Sequence, residues 1–341
     1  MQQEKKVKAF ATISDVAKHA KVGKTSVSRY LNDELDKLSP ALKEKIANAI
    51  EYLSYQPNQS ARMLKAGQSK LIGLLLADIT NPYSVELMQS IERKCRELGY
   101  MLMVCNTDNC KDQQDRYLTL LKAHRVDGII INPLGMTADS FEALKPIDCP
   151  FVILDRANDQ LNVDCIGVDN KQAAKLACQH LADHNFESIL IVTQPLNASP
   201  RKIRVDTIQA FVKSSITMQV TVLEVEDIEE NKLTSSISNF IHSNNNSKKA
   251  IFCINGVCAL YSAKALTLLD INLDSNLGFI TIDDPGWAQI ALGGITSIRQ
   301  PLKEIGEMAC ERLLLRMSNA DTSPENIEIA ATLITRNSTQ Y

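Results

Sequence analysis

Between residues 12 and 53 apolar side chains recur at helical spacing in three short runs separated by polar turns. In the first, Ile13, Val16, Ala17 and Ala20 fall at i, i+3, i+4 and i+7, which predicts a helix with one buried face. Thr12 stands at the N-cap position, and Asp15 three residues on favours the helix N-terminus. After the turn Lys21-Val22-Gly23 a second helix is expected from Lys24 to Leu31, with Val27 and Leu31 inward and Lys24, Thr25, Ser28 and Arg29 outward. A third begins at Ser39-Pro40, a cap and a first-turn proline, and should bury Leu42, Ile46, Ala49, Ile50 and Leu53.

From residue 70 the pattern changes to continuous apolar runs: Leu71–Ala77, Met101–Cys105, Gly128–Ile131, Phe151–Leu154, Ile189–Val192, Val220–Val225, Ala250–Ile254 and Gly278–Ile282. Helical stretches such as Val85–Leu98, Gln172–Ala182 and Leu302–Met317 separate most of them. Alternating strands and helices with uninterrupted apolar strands imply parallel sheets covered on both faces, and the number of runs suits two such domains. A chain of 341 residues is long enough for them plus a small module.

Composition adds what the partners should be. Residues 1–70 hold 13 basic and 7 acidic residues, net +6, whereas the remainder holds 24 and 33, net −9. A basic module on an acidic body points to a polyanion partner for the first segment only. Hydrophobic residues make up 45% and charged residues 23%, and no run approaches the roughly 20 apolar residues a membrane helix needs, so no membrane partner is expected. The opening MQQEKKVKAF lacks an apolar signal core, which predicts a cytoplasmic protein. Nine cysteines include no CxxC pair; the tightest spacings are Cys105/Cys110 and Cys253/Cys258, so neither a metal nor a disulfide framework is expected. No G-x-G-x-x-G follows a strand, no phosphate-binding G-x-x-x-x-G-K-[ST] occurs, and His180/His184 lack the Glu of H-E-x-x-H. Neither a cofactor nor an enzymatic activity is expected. A sugar-binding α/β protein or a nucleotide-dependent enzyme, with no nucleic-acid partner, is the alternative.

Three short helices with a polar, cationic second member match a helix-turn-helix, whose second helix enters the major groove. The stretch TISDVAKHAKVGKTSVSRYLN resembles the headpiece of the LacI/GalR family of transcriptional regulators. It departs from the usual pattern at Lys21, where Gly is common, and at Gly23, where a Ser cap is common. The resemblance implies a sequence-specific regulator, in most cases a repressor, of double-stranded operator DNA. In it Lys24, Thr25 and Arg29 would read base edges, Ser26 and Ser28 would hold phosphates, and Thr12 and Asn32 would join the interface. The segment from Tyr55 through Lys65 would be a hinge helix too short to be stable alone, with Asn58, Ala61 and Lys65 on DNA and Leu64 wedged into the minor groove. A homodimer is implied, with a tetramer left open, and helix Tyr83–Leu98 would contribute to its interface.

The fold class expected is a small all-α helix-turn-helix headpiece plus an α/β periplasmic-binding-protein-like core of two doubly wound parallel-sheet lobes. The divisions expected are 1–56 for the headpiece, 57–69 for hinge and linker, 70–168 with 299–318 for the first lobe, and 169–298 with 319–341 for the second. Two marks support a full-length match: Ile298-Arg299-Gln300-Pro301 as a crossover and Leu333–Thr339 as the terminal strand.

Ligands of open α/β sheets bind beyond the carboxyl ends of the strands. The polar residues placed there are Asp78, Asn81, Tyr83, Asp108, Asn132, Asp155 and Arg156 in the first lobe, and Arg201, Arg204, Asn255, Asp283 and Trp287 in the second. Asp and Asn at such positions are also common turn formers and helix caps. Together they suit a polyhydroxylated ligand, and Arg156 with Arg201 or Arg204 would hold a carboxylate bidentately. Asn255-Gly256 with Asp283-Asp284-Pro285-Gly286-Trp287-Ala288 is similar to the family branch that responds to sugar acids such as ketogluconate or ketodeoxygluconate. The sequence leaves the choice between Arg201 and Arg204 open.

Overall fold

A computed structural model describes residues 11–56, 68–133, 149–155, 163–197, 199–226, 230–243, 247–318 and 322–340. The chain divides into two compact units, Met1–Ser69 and Lys70–Tyr341.

In the first unit, α1 (Ile13–Ala20), α2 (Lys24–Leu31) and α3 (Pro40–Tyr52) enclose a small core of Val16, Ala17, Ala20, Val27, Leu38, Ile46, Ala49 and Tyr55. Leu31, Leu42, Ile50 and Leu53 pack on its margin rather than inside it. Thr12 closes a capping box: its backbone N–H donates to Asp15 Oδ2 at 2.8 Å, and its hydroxyl accepts from the Asp15 N–H at 3.4 Å. Lys21 ends α1 in the left-handed region at φ 52°, the conformation Gly would take without strain. Gly23 and Ser39 occupy N-cap positions, and neither supplies a side-chain cap bond.

The second unit contains two six-stranded sheets. The first lobe carries β1 (Leu71–Leu76), β2 (Met101–Asn106), β3 (Gly128–Ile131), β4 (Phe151–Leu154), β5 (Cys165–Val168) and β11 (Asn326–Ile329), in the order β11-β5-β4-β3-β1-β2. Its helices are α4 (Pro82–Glu97), α5 (Lys111–Ala123) and α10 (Leu302–Met317). The second lobe carries β6 (Ser188–Thr193), β7 (Gln219–Glu224), β8 (Lys249–Cys253), β9 (Leu277–Ile282), β10 (Thr296–Arg299) and β12 (Thr332–Ile334), in the order β12-β10-β9-β8-β6-β7. With it go α6 (Asn170–Asp183), α7 (Ser199–Ser214), α8 (Glu230–His242) and α9 (Gly256–Leu268). All pairings are parallel except β10 with β12.

The chain therefore passes between lobes after β5, after β10 and after β11. The last passage corrects the division expected at residues 318/319. Asn326–Ile329 pairs in register with Cys165–Val168 and extends the first sheet, so the chain leaves the first lobe only between Ile329 and Thr332. Asp164 explains why the segment stays: buried at the start of β5, it takes ion pairs from Arg312 at 2.6 Å and Arg316 at 2.5 Å on α10. It also accepts the Glu325 N–H at 3.0 Å. Residues 57–67, and with them Asn58, Ala61, Leu64 and Lys65, lie outside the described residues, as does Arg156.

Candidate functional site

On the headpiece, the outer surface of α2 is built by exclusion. Val27 is fully buried, which turns Lys24, Thr25 and Arg29 outward, all exposed, with Ser26 and Ser28 half-buried between them. Asn32, the C-cap of α2, is exposed and its amide reaches Ser28 Oγ at 3.5 Å. Two cations, three hydroxyls and an amide on one short helix form a surface matched to phosphates and base edges in a groove.

In the second unit a cavity of about 80 Å³, open to solvent, lies between the lobes; its first-lobe wall includes Asp78, Asn81, Tyr83, Asn132 and Asp155. Its second-lobe wall includes Arg201, Arg204, Asn255 and Asp283. Each arrives there because it follows a parallel strand. Asn81 caps α4 by accepting the Tyr83 N–H at 3.1 Å, and Asn255 caps α9 by accepting the Cys258 N–H at 2.9 Å. Two of the carboxylates stand in left-handed backbone, Asp155 at φ 63° and Asp283 at φ 83°, which an L-residue holds only where its surroundings require it.

The polar groups form a connected set. The Tyr83 hydroxyl donates to Asp155, and the Asn132 amide reaches the same carboxylate oxygen at 3.4 Å. Burial, then the Asp155 carboxylate, push the Tyr83 hydroxyl well above its usual pKa, so it remains a donor. Arg204 is 5% exposed; its Nε donates to Asn170 Oδ1 at 2.7 Å and its Nη1 to the Ile254 carbonyl at 3.0 Å. Burial lowers its pKa, and the carboxylates of Asp283 and Asp155 act against that shift. Arg201 donates to Gln194 Oε1 at 2.9 Å, the same oxygen that takes the Asn255 amide at 2.9 Å. Asp283 accepts the Gly256 N–H at 2.8 Å and the Gln300 amide.

Residues 12–58 match the bacterial regulatory proteins of the lacI family, and residues 69–337 match the periplasmic binding proteins and sugar binding domain of that family. This chain belongs to the LacI family. Among its relatives, the HTH-type transcriptional regulator PtxS of Pseudomonas aeruginosa is 38% identical over 329 residues, 96% of this chain and 95% of that one. The HTH-type transcriptional regulator KdgR of Bacillus subtilis is 34% identical over 337 residues, 98% of this chain and 99% of that one. Among solved structures, the lac repressor dimer bound to operator and an anti-inducer superposes with a TM-score of 0.84. It is 21% identical and covers 97% of this chain and 99% of its own, a likeness of fold. The chain is thus a DNA-binding transcriptional regulator under effector control, and not an enzyme.

Twelve residues were expected at the effector cleft of this LacI-family regulator. Nine of the twelve named line the cavity. Two do not. Asp108 sits at an exposed turn after β2 with φ 51°, and Trp287 lies in a short 3-10 turn packed against the apolar cluster of the second lobe. Three contributors were missed: Ser84 and Gln300, which line the cavity, and Gln194, which holds Arg201; Asn170, which holds Arg204, also follows a strand and was read at that position without a role. Gln300 lay in a motif read only as a crossover, and the partners of Arg201 and Arg204 follow from tertiary placement. Among the described residues no helix is long and apolar enough to cross a membrane.

Proposed function

We propose that this regulator controls a two-fold symmetric operator in response to a sugar acid bound between its lobes. The observation that carries the reading is the cavity's charge pattern: two arginines and three aspartates face one space with amide and hydroxyl groups between them. Arginine forks hold a carboxylate, which a neutral sugar lacks, while aspartates and amides take hydroxyls. Arg204, immobilised and buried, is the principal anion anchor in this reading, with Arg201 beside it. Tyr83, rather than Trp287, offers the ring that covers the sugar.

The ligand acts by population shift: bound between the lobes it favours one lobe arrangement, and only its differential affinity for the two arrangements alters operator affinity. The segment 57–69 is the proposed relay, with Leu64 as its wedge. The protein acts in the cytoplasm as a homodimer. Support for a dimer surface comes from α9, where Leu260 is 47% and Leu268 59% exposed. The solvent side of α4, in contrast, is polar: Glu86, Gln89, Glu92, Arg93, Arg96 and Glu97. Replacing Leu260 and Leu268 together by Asp should give monomers in sedimentation with sugar-acid binding retained; an intact dimer would rule α9 out.

The deciding experiment is fluorescence anisotropy on labelled DNA from beside the gene, titrated first with protein and then with ketogluconate, ketodeoxygluconate and neutral sugars. Saturable binding to one palindromic fragment, altered by a sugar acid alone, is expected. A response to neutral sugars only would refute the sugar-acid reading. On the same operator, Arg29→Ala should cost about 1–3 kcal/mol and relax preference at one base pair. An equal loss on every sequence would make Arg29 a phosphate contact instead.

A further inference from the structure

Asp283 and Gln300 meet across neighbouring strands, just beyond the pairing of Ile282 with Ile298. Their sequence neighbours, Asp284 and Arg299, meet in the same way alongside them. The Asp284 side chain is 1% exposed, and its Oδ2 accepts from Arg299 Nε at 3.0 Å and Nη2 at 2.5 Å. Arg336 approaches from the C-terminal segment, donating to Asp284 Oδ1 at 2.6 Å and Oδ2 at 3.1 Å. The same guanidinium donates to the Ile295 carbonyl at 2.6 Å and to Ser297 Oγ at 3.2 Å. Burial alone would raise the Asp284 carboxyl, but the bonds from Arg336 and Arg299 outweigh it and hold it below the usual carboxylate range.

We propose that Asp284 is a positioning residue for the effector: it anchors a two-guanidinium brace that presets Asp283 and Gln300 at the cavity wall. The proposal rests on the reading of the cleft as the effector site. Two features of the wall need such a brace. Asp283 holds φ 83°, a conformation that persists only where neighbouring contacts over-determine it. Gln300 is 5% exposed and its Oε1 has no hydrogen-bond partner among the described residues, while its amide nitrogen is committed to Asp283. That leaves an acceptor at the cavity wall whose direction is set by the Asp283 bond, and it suits a ligand hydroxyl. Arg299 adjoins Gln300 as Asp284 adjoins Asp283, so one ion-pair cluster fixes both members of the wall pair. Arg299 also stands where the chain leaves the second lobe, and Arg336 lies just after it returns.

The test uses the full-length protein, Asp284→Asn and, as a second variant should that one fold poorly, Arg336→Met. Two readouts are taken: calorimetric titration with 2-ketogluconate, and emission and iodide quenching of Trp287, the chain's single tryptophan and three residues from Asp284. Asp284→Asn should weaken 2-ketogluconate by about tenfold to a hundredfold, the range a displaced binding group produces. It should also alter Trp287 quenching without ligand, and Arg336→Met should move both in the same direction by less. A melting point that falls while affinity and Trp287 quenching stay at wild-type values would reduce Asp284 to a structural ion pair and overturn the proposal. Wild-type protein that binds no sugar acid would strike the ligand reading alone; the ligand-free Trp287 comparison would still decide the brace.

Discussion

Replacing Arg204 by methionine is expected to weaken sugar-acid binding by at least about a hundredfold while leaving ligand-free operator binding within a few-fold of wild type, because removing one partner of a buried ionic group costs about 3–5 kcal/mol. The methionine keeps most of the side-chain volume, so the loss measures charge and hydrogen bonding rather than a cavity. Arg204 is the one cavity cation that is almost wholly buried, held by Asn170 and the Ile254 carbonyl. It opposes the charges of two of the three wall carboxylates, Asp155 and Asp283. Its removal therefore leaves the wall carboxylates facing an anionic ligand with less to offset them. Arg204→Lys should fall between, keeping the charge and losing the planar fork. The operator is far from this change in sequence and function, so a repressor that binds DNA and ignores its effector is the expected phenotype. Calorimetry with the sugar acid and anisotropy on the operator separate the two. Sugar-acid affinity within threefold of wild type would remove Arg204 from the site.

How much of this was legible beforehand depended on range. The headpiece was legible because its signals are local: the Ile13–Ala20 spacing, the Thr12 cap and Pro40 each act within one or two helical turns. The central strands were legible because parallel strands buried on both faces are apolar throughout, as at Ile129–Ile131 and Val152–Leu154. The strand Asn326–Ile329 was not, since it lies at a sheet edge and alternates intermediate and exposed positions. Only its pairing with β5 makes it a strand of the first lobe. The same division runs through the cleft. Residues that follow strands could be placed by topology, whereas Gln300 depends on a contact 17 residues away and the partners of Arg204 on contacts 34 and 50 residues away. Trp287 shows the limit of reasoning by residue type: an aromatic near the cleft in sequence packs, half-buried, against the apolar cluster of the second lobe instead of lining the cavity.

A valine at Gly306 is expected to destabilise the larger unit by about 3 kcal/mol or more, at the upper end for overpacking, because two helices touch there at backbone distance. A Cβ at Gly306 on α10 would stand 2.5 Å from Ser90 Oγ, 2.7 Å from Ser90 Cβ and 3.2 Å from the Ile91 nitrogen on α4. Ser90 has little room to yield: it is 5% exposed, and its hydroxyl donates to the Lys303 carbonyl at 2.8 Å. Five residues along α4 and four along α10 the helices remain close, with Cys95 and Cys310 Sγ atoms 3.9 Å apart, so the helices would have to separate along a shared face. Alanine is the sharper probe, since its better helix propensity would favour it over glycine by about 1 kcal/mol. If Gly306→Ala lowers the melting temperature, the clash exceeds that gain; each kcal/mol lost should lower it by about 2–4 °C in a unit of this size. The compensating change is Ser90→Gly, which removes the two nearest atoms. The double variant Ser90→Gly/Gly306→Ala should recover most of the loss seen in Gly306→Ala. Additive losses would mean that the helices do not pack through this pair, and the contact between α4 and α10 that sets the first lobe's geometry would have to be sought elsewhere.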